Sequence, residues 1–162
     1  MYLGTGSGKT FIAVMLIKHM RDLLGRDKMV VFLVNNVALL EQQAQFIRDF
    51  TGLATGNYCG ADGVDDWGKE KWVKKVLEKS VMVFIHNVLL DAVAHGFISV
   101  SSLALLVLVI DECLDAVKNH PYSKIMTDWY HPTRAKRKGS DPKAFLQAQW
   151  LLCRDCQYYC DG

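Results

Sequence analysis

No stretch of this 162-residue chain is long and apolar enough to cross a membrane. Its amino terminus also lacks the charged, then apolar, then small pattern of a cleaved leader. An intracellular, cytoplasmic setting is expected. Neither sign of charge is in excess: 19 Lys and Arg against 17 Asp and Glu leave +2, too little to argue nucleic-acid binding from overall balance. The five cysteines are odd in number, with Cys59 and Cys113 far apart and Cys153, Cys156 and Cys160 near the end, which speaks against a disulfide framework. The last three are spaced like metal ligands, but a tetrahedral zinc site takes four and no His lies beyond His131. The same spacing suits one face of a helix packed on the core. The length also excludes two sizeable cores.

What is present is concentrated at the start. Gly4, Thr5, Gly6, Ser7, Gly8, Lys9 and Thr10 run directly into an apolar segment with helical spacing. Glycines let the backbone curl so that successive N–H groups converge on phosphate oxygens at the positive end of the following helix. Lys9 then reaches the β- and γ-phosphates, and the Thr10 hydroxyl is placed to ligate Mg²⁺. Leu3 stands where the strict pattern has its first glycine. Read plainly, the same run is a flexible turn before a helix. Phe11, Ile12, Val14, Met15, Leu16 and Ile17 predict that this helix is largely buried.

Farther along, buried-strand and helix patterns alternate. Met29 to Val34 reads as a strand covered on both faces, and Val37 to Phe50 as an amphipathic helix. A short segment from Leu53 to Tyr58 and a glycine-rich turn follow. Asp65 and Asp66 look like the start of a helix that turns Trp72, Val73, Val76 and Leu77 inward. Val81 to Ile85 is a second strand, Val88 to Ala94 a helix, and Leu103 to Ile110 a third strand ending in Asp111 and Glu112. This alternation implies an α/β fold: a parallel sheet with helices on both faces and ligands at the carboxyl ends of its strands. There the loop and the acidic pair are expected to meet. Asp111 is the candidate for holding Mg²⁺, and Glu112 the candidate catalytic residue that orients or deprotonates the attacking water. A small P-loop kinase shares these elements, although no arginine-rich lid is visible.

From Met1 to about Pro132 the residues resemble superfamily 2 helicases, and within them the amino-terminal helicase region of Dicer and related RNA sensors. Leu3 to Ala13 is similar to that family's motif I, Val31 to Asn35 with Glu41-Gln42-Gln43 to motif Ia, and Asp111-Glu112-Cys113 with Lys118-Asn119-His120-Pro121-Tyr122 to motif II and its sequel. Phe84 to Asp91, continuing to His95-Gly96, sits where the family touches the nucleic-acid backbone. The resemblance implies a RecA-like P-loop lobe over residues 1–132 that binds ATP and Mg²⁺ and contacts double-stranded RNA by shape and backbone. Asn35, Gln42, His86 and Asn87 are then candidate RNA contacts; capping of strand-to-helix turns is their ordinary alternative.

The departures shape the expectation. Leu114 replaces the histidine of motif II, His86 stands in place of threonine, and no Ser-Ala-Thr motif follows. The strand before the loop, a second lobe and an arginine finger, which contributes about 10³ to 10⁵ in rate, are all expected to be missing. Residues 133–162 form a divergent tail: a basic run from Arg134 to Lys138, read as a solvated loop or an RNA contact, and then Phe145, Leu146, Trp150, Leu151 and Leu152 at helix-like spacing. The reading is the ATP·Mg-binding first lobe of a Dicer-like helicase and ribonuclease, hydrolysing ATP only in the complete protein. Its alternative is a non-catalytic remnant that binds RNA or protein.

Overall fold

Met29–Val34, β1, carries six consecutive apolar residues and forms the middle of the sheet. Such a run can be stable only where both faces and both edges are covered. The computed structural model, which describes residues 8–24, 29–98, 105–110, 120–130 and 151–152, shows that arrangement. Val81–Ile85, β3, pairs with β1 on one side and Leu105–Ile110, β4, on the other, both parallel, with Val34 opposite Ile85 and Leu33 opposite Ile110. Thr55–Tyr58, β2, extends the sheet beyond β3. Leu151–Leu152, β5, extends it beyond β4, giving the order β2-β3-β1-β4-β5.

Alternate residues of β1 face opposite layers. Val30, Phe32 and Val34 meet Ala13, Val14 and Ile17 of α1 (Lys9–Leu24) and Leu40, Ala44 and Ile47 of α2 (Val37–Thr51). Val31 and Leu33 meet Trp72 of α3 (Lys69–Glu78), Val88, Leu89, Ala92 and Val93 of α4 (His86–Ala94), and Tyr122 of α5 (Pro121–Lys124). Beyond α5 the chain continues as a π-helical run, Ile125–Tyr130. The expected α/β architecture with helices on both faces is therefore present. No helix among the described residues is long and apolar enough to cross a membrane.

Several local expectations change. Phe11, Ile12 and Met15 are exposed, because a helix lying on a sheet hides only the stripe through Ala13, Val14 and Ile17. Asp65 and Asp66 do not open α3. They belong to a 3₁₀ turn, Val64–Asp66, and Trp67 then runs extended into the core before Gly68 caps the helix. Val73 is 45% exposed, since the buried side of α3 centres on Trp72 at 1%. Leu151 and Leu152 form a strand where helical spacing was expected; pairing with Val109 and Ile110 satisfies backbone groups along the β4 edge.

Tyr58, Trp67, Trp72 and Phe84 pack as one aromatic group with ring centroids 5.1 to 6.3 Å apart. Burial, reinforced by Glu78 and Asp62, pushes the Tyr58 phenol up to about 12. A Cβ on Gly56 would collide with the Tyr58 ring and hydroxyl, whereas one on Gly60 would meet open space. Gly56→Ala should therefore cost about 1–3 kcal/mol in denaturant unfolding, while Gly60→Ala should stay within about 0.5 kcal/mol of the parent.

Candidate functional site

Parallel strands in register deliver the residues that follow them to one edge. Asn35 follows β1, His86 follows β3, and Val34 pairs with Ile85 immediately before them. Asn35, His86 and Asn87 are thus brought to the same carboxyl edge, and Gln42 lies exposed in the second turn of α2, which starts there. Ile110 ends β4 opposite Leu33. Asp111, Glu112 and Leu114 come next in the chain and lie outside the described residues, as do Gly4, Thr5, Gly6, Ser7 and the cysteines at 153, 156 and 160.

The turn after β1 is capped by Asn36 rather than by Asn35. Its Oδ1 accepts from the Leu39 N–H at 2.9 Å, and its Nδ2 donates to Asn35 Oδ1 at 3.0 Å. An Asn directly before the first apolar residue of a helix was the signal for this role. Gln42 is exposed, while its neighbour Gln43 is buried against the sheet. Glu41 accepts from Arg48 at 2.7 Å and also from Asn57, which ties α2 to β2.

α4 begins at His86 with no intervening turn, and Ile85 at its N-cap supplies no side-chain hydrogen bond. Its first N–H groups thus have no side-chain cap, and the first turns of α1, α2 and α4 contain no acidic residue. Helix starts of this kind favour anions. Behind the edge, the His86 ring stands 5.0 Å from that of His120 and 5.1 Å from that of Tyr122, both edge-on. His120 Nδ1 accepts from the Tyr122 N–H at 3.3 Å, and Pro121 takes the first position of α5. This histidine cap was missed in the sequence, although Pro one residue on marks a helix start. Desolvation lowers the His86 pKa, with the neighbouring His120 adding to the effect and Asn87 opposing it.

α1 begins at Lys9, with Gly8 at φ 74° and, among the described residues, no atom near the place where a Cβ would sit. Thr10 is half-buried in the first turn. Phe11 stacks edge-on to Phe50 at 5.3 Å, and Arg21 donates to Ser80 Oγ at 3.1 Å. Phe50 is in the last turn of α2 and Ser80 precedes β3, so both contacts lie toward the end of the sheet where its strands begin. Gly8 and Thr10 thus open a helix that is held through Phe11 on Phe50 and Arg21 on Ser80.

Residues 1–134 match the family model described as type III restriction enzyme, res subunit. The chain belongs to that family. It is 42% identical over 135 residues to endoribonuclease Dicer homolog 1 of Arabidopsis thaliana, an alignment spanning 82% of this chain and 7% of the relative. Dicer homolog 2 of the same plant is 39% identical over 146 residues, 89% of this chain and 10% of the relative. Dicer-like protein 2 of Cryphonectria parasitica is 36% identical over 137 residues, 84% and 9% respectively. The chain thus spans a tenth or less of the length of these Dicer-like relatives. The fold is similar to the Pyrococcus furiosus Hef helicase domain, with a TM-score of 0.66 and 21% identity over 93% of this chain and 34% of that one. The fold is accordingly RecA-like.

With its folded pKa below the ordinary 6.5, His86 is held neutral in the native state. The unfolded chain takes up that proton first, so stability is full above about 6.5 and falls as pH drops through and below it. A thermal melt series from pH 7.5 to 5 should show this loss, with a shallower slope in His86→Phe. Asn36→Ala should cost about 0.5–2 kcal/mol of stability through its lost cap.

Proposed function

We propose that the chain is the ATP·Mg-binding first lobe of a Dicer-like double-stranded RNA helicase. Supporting this reading is one observation above others: the Gly-Ser-Gly-Lys-Thr run lies inside the family match and turns into α1 through Gly8 in a left-handed conformation. That geometry suits a phosphate cradle, and the carboxylate-free first turn suits an anion.

In this reading Gly4 through Gly8 offer backbone N–H groups to the phosphates, Lys9 neutralises their charge, and Thr10 with Asp111 holds Mg²⁺. When bound, the metal screens the β- and γ-phosphate oxygens as a Lewis acid. Glu112 orients water for attack on the γ-phosphate. The RNA backbone runs along the carboxyl edge, meeting Asn35, Gln42, His86 and Asn87, with the uncapped N–H groups of α4 beside the last two. ATP turnover belongs to the longer protein, whose second lobe is the natural partner, in an intracellular setting. The seating of Phe11 on Phe50, away from that edge, favours a second reading: a non-catalytic module that binds RNA or protein without cycling nucleotide.

Titration of a fluorescent ATP analogue with Mg²⁺ separates the two. Binding should weaken about tenfold or more in Lys9→Ala, the loss of a charge-assisted phosphate contact, with little turnover in either protein. Equal affinity in parent and Lys9→Ala would overturn the phosphate-loop assignment. Absence of binding by the folded parent, with duplex RNA still shifted on a gel, would establish the non-catalytic module.

A further inference from the structure

Three rings meet behind the start of α4. His86, the first residue of that helix, has its ring centroid 5.0 Å from that of His120 and 5.1 Å from that of Tyr122, and the last two are 4.8 Å apart. Tyr122 is 2% exposed and belongs to the core on the α3/α4 face of the sheet, so α5 holds the group from behind. His86 is half-buried, and its Nδ1 is enclosed with no hydrogen-bond partner among the described residues. A charged ring would carry an unmatched N–H at that place, which disfavours the charge.

The neighbouring ring is fixed in its neutral form. Pro121 has no N–H, so the first donor of α5 is that of Tyr122, and it donates to His120 Nδ1 at 3.3 Å. An N–H group can only donate, so this nitrogen is unprotonated and the ring neutral. Protonating it there would remove the cap of α5. His86 caps nothing: the N-cap position of α4 is Ile85. Of the two rings it is therefore the one that can change charge while both helix starts stay intact. Among the described residues, the groups that bear on its ring are His120 and Tyr122 from α5 and Asn87 from its own helix. Desolvation first, and then His120, hold the ring neutral, while Asn87 opposes them.

An anion at this edge reverses that balance. The His86 ring hangs from the residue that supplies the first N–H of α4, and no carboxylate lies in the first turn. A phosphate held by those N–H groups lies beside the ring, well inside the roughly 8–10 Å over which charges act at physiological salt, and favours the charged form. We infer that His120 is a positioning residue for His86 and that the pair makes this edge proton-linked: phosphate of duplex RNA and a proton on His86 bind together, each strengthening the other. The inference rests on the reading of this edge as the RNA face.

The test follows the histidine ring signals of the full ¹⁵N-labelled chain through a pH series, without and with a saturating short blunt RNA duplex, His86→Gln identifying the signal of His86. The titration midpoint of His86 should rise when the duplex is bound. Duplex affinity at fixed ionic strength should strengthen as pH falls, by up to about tenfold per pH unit for one proton taken up, and less steeply in His86→Gln. His120→Asn keeps an acceptor for the Tyr122 N–H but removes the second ring. In the free chain it should bring the His86 midpoint back toward the ordinary histidine value, and so reduce the rise on binding. A duplex that binds with the His86 midpoint unmoved, or as steeply with pH in His86→Gln as in the parent, would overturn the inference and leave the RNA face standing. An unmoved midpoint in His120→Asn would overturn the part given to His120, and a duplex that does not bind at all would overturn both inference and RNA face.

Discussion

Val30 to Val34 are at most 1% exposed, held between β3 and β4 in parallel register and between helices on both faces. Everything else in the chain is placed by that strand. Each of these side chains, fully buried, contributes about 1.5–3 kcal/mol relative to exposure, and none can be satisfied unless α1 and α2 cover one face and α3, α4 and α5 the other. Register then follows. Pairing Val34 with Ile85 leaves Asn35 and His86, the next residues of those strands, on a common edge. A one-residue slip would exchange the two faces of β1 and uncover both cores.

That constraint explains which parts of the sequence were legible. Continuous apolar, valine-rich runs at Met29–Val34 and Val81–Ile85 have no stable place except a doubly covered sheet, so the strands and the parallel topology could be read directly. α2 was equally clear, because Leu40, Ala44 and Ile47 repeat at helical spacing. Composition is a poorer guide where tertiary packing decides. Asp65-Asp66 is a good local helix start, but burial of Trp67 pulls the chain extended and delays α3 to Lys69. Leu151 and Leu152 carry no strand signal of their own; the backbone groups of β4 supply the reason for their conformation.

The candidate site divides in the same way. Asn35, Gln42, His86 and Asn87 were singled out by the family resemblance, and the parallel register brings Asn35, His86 and Asn87 to one edge. Their immediate partners divide: Asn36, which caps α2 and fixes Asn35, carries the local signal of an Asn before a helix, whereas His120, which caps α5 and packs its ring on His86, has no such signal. The contact of His120 with His86 joins residues 34 positions apart in the chain, which no local pattern encodes. The aromatic link from α5 to the start of α4 also connects the segment that follows the motif II strand with the edge that faces the proposed RNA. The position of α1 is set by side chains outside the loop motif, Phe11 on Phe50 and Arg21 on Ser80, so the motif alone did not determine where its helix would lie.

The central claim is that this common carboxyl edge is the nucleic-acid face. Its most direct test is backbone amide shift mapping of the ¹⁵N-labelled chain with a short blunt RNA duplex at low salt. The account predicts that the largest shifts fall on Asn35 to Val37 and His86 to Val88, and that they diminish in His86→Ala. Shifts confined to the exposed lysines of α3, or spread evenly over the surface, would contradict it.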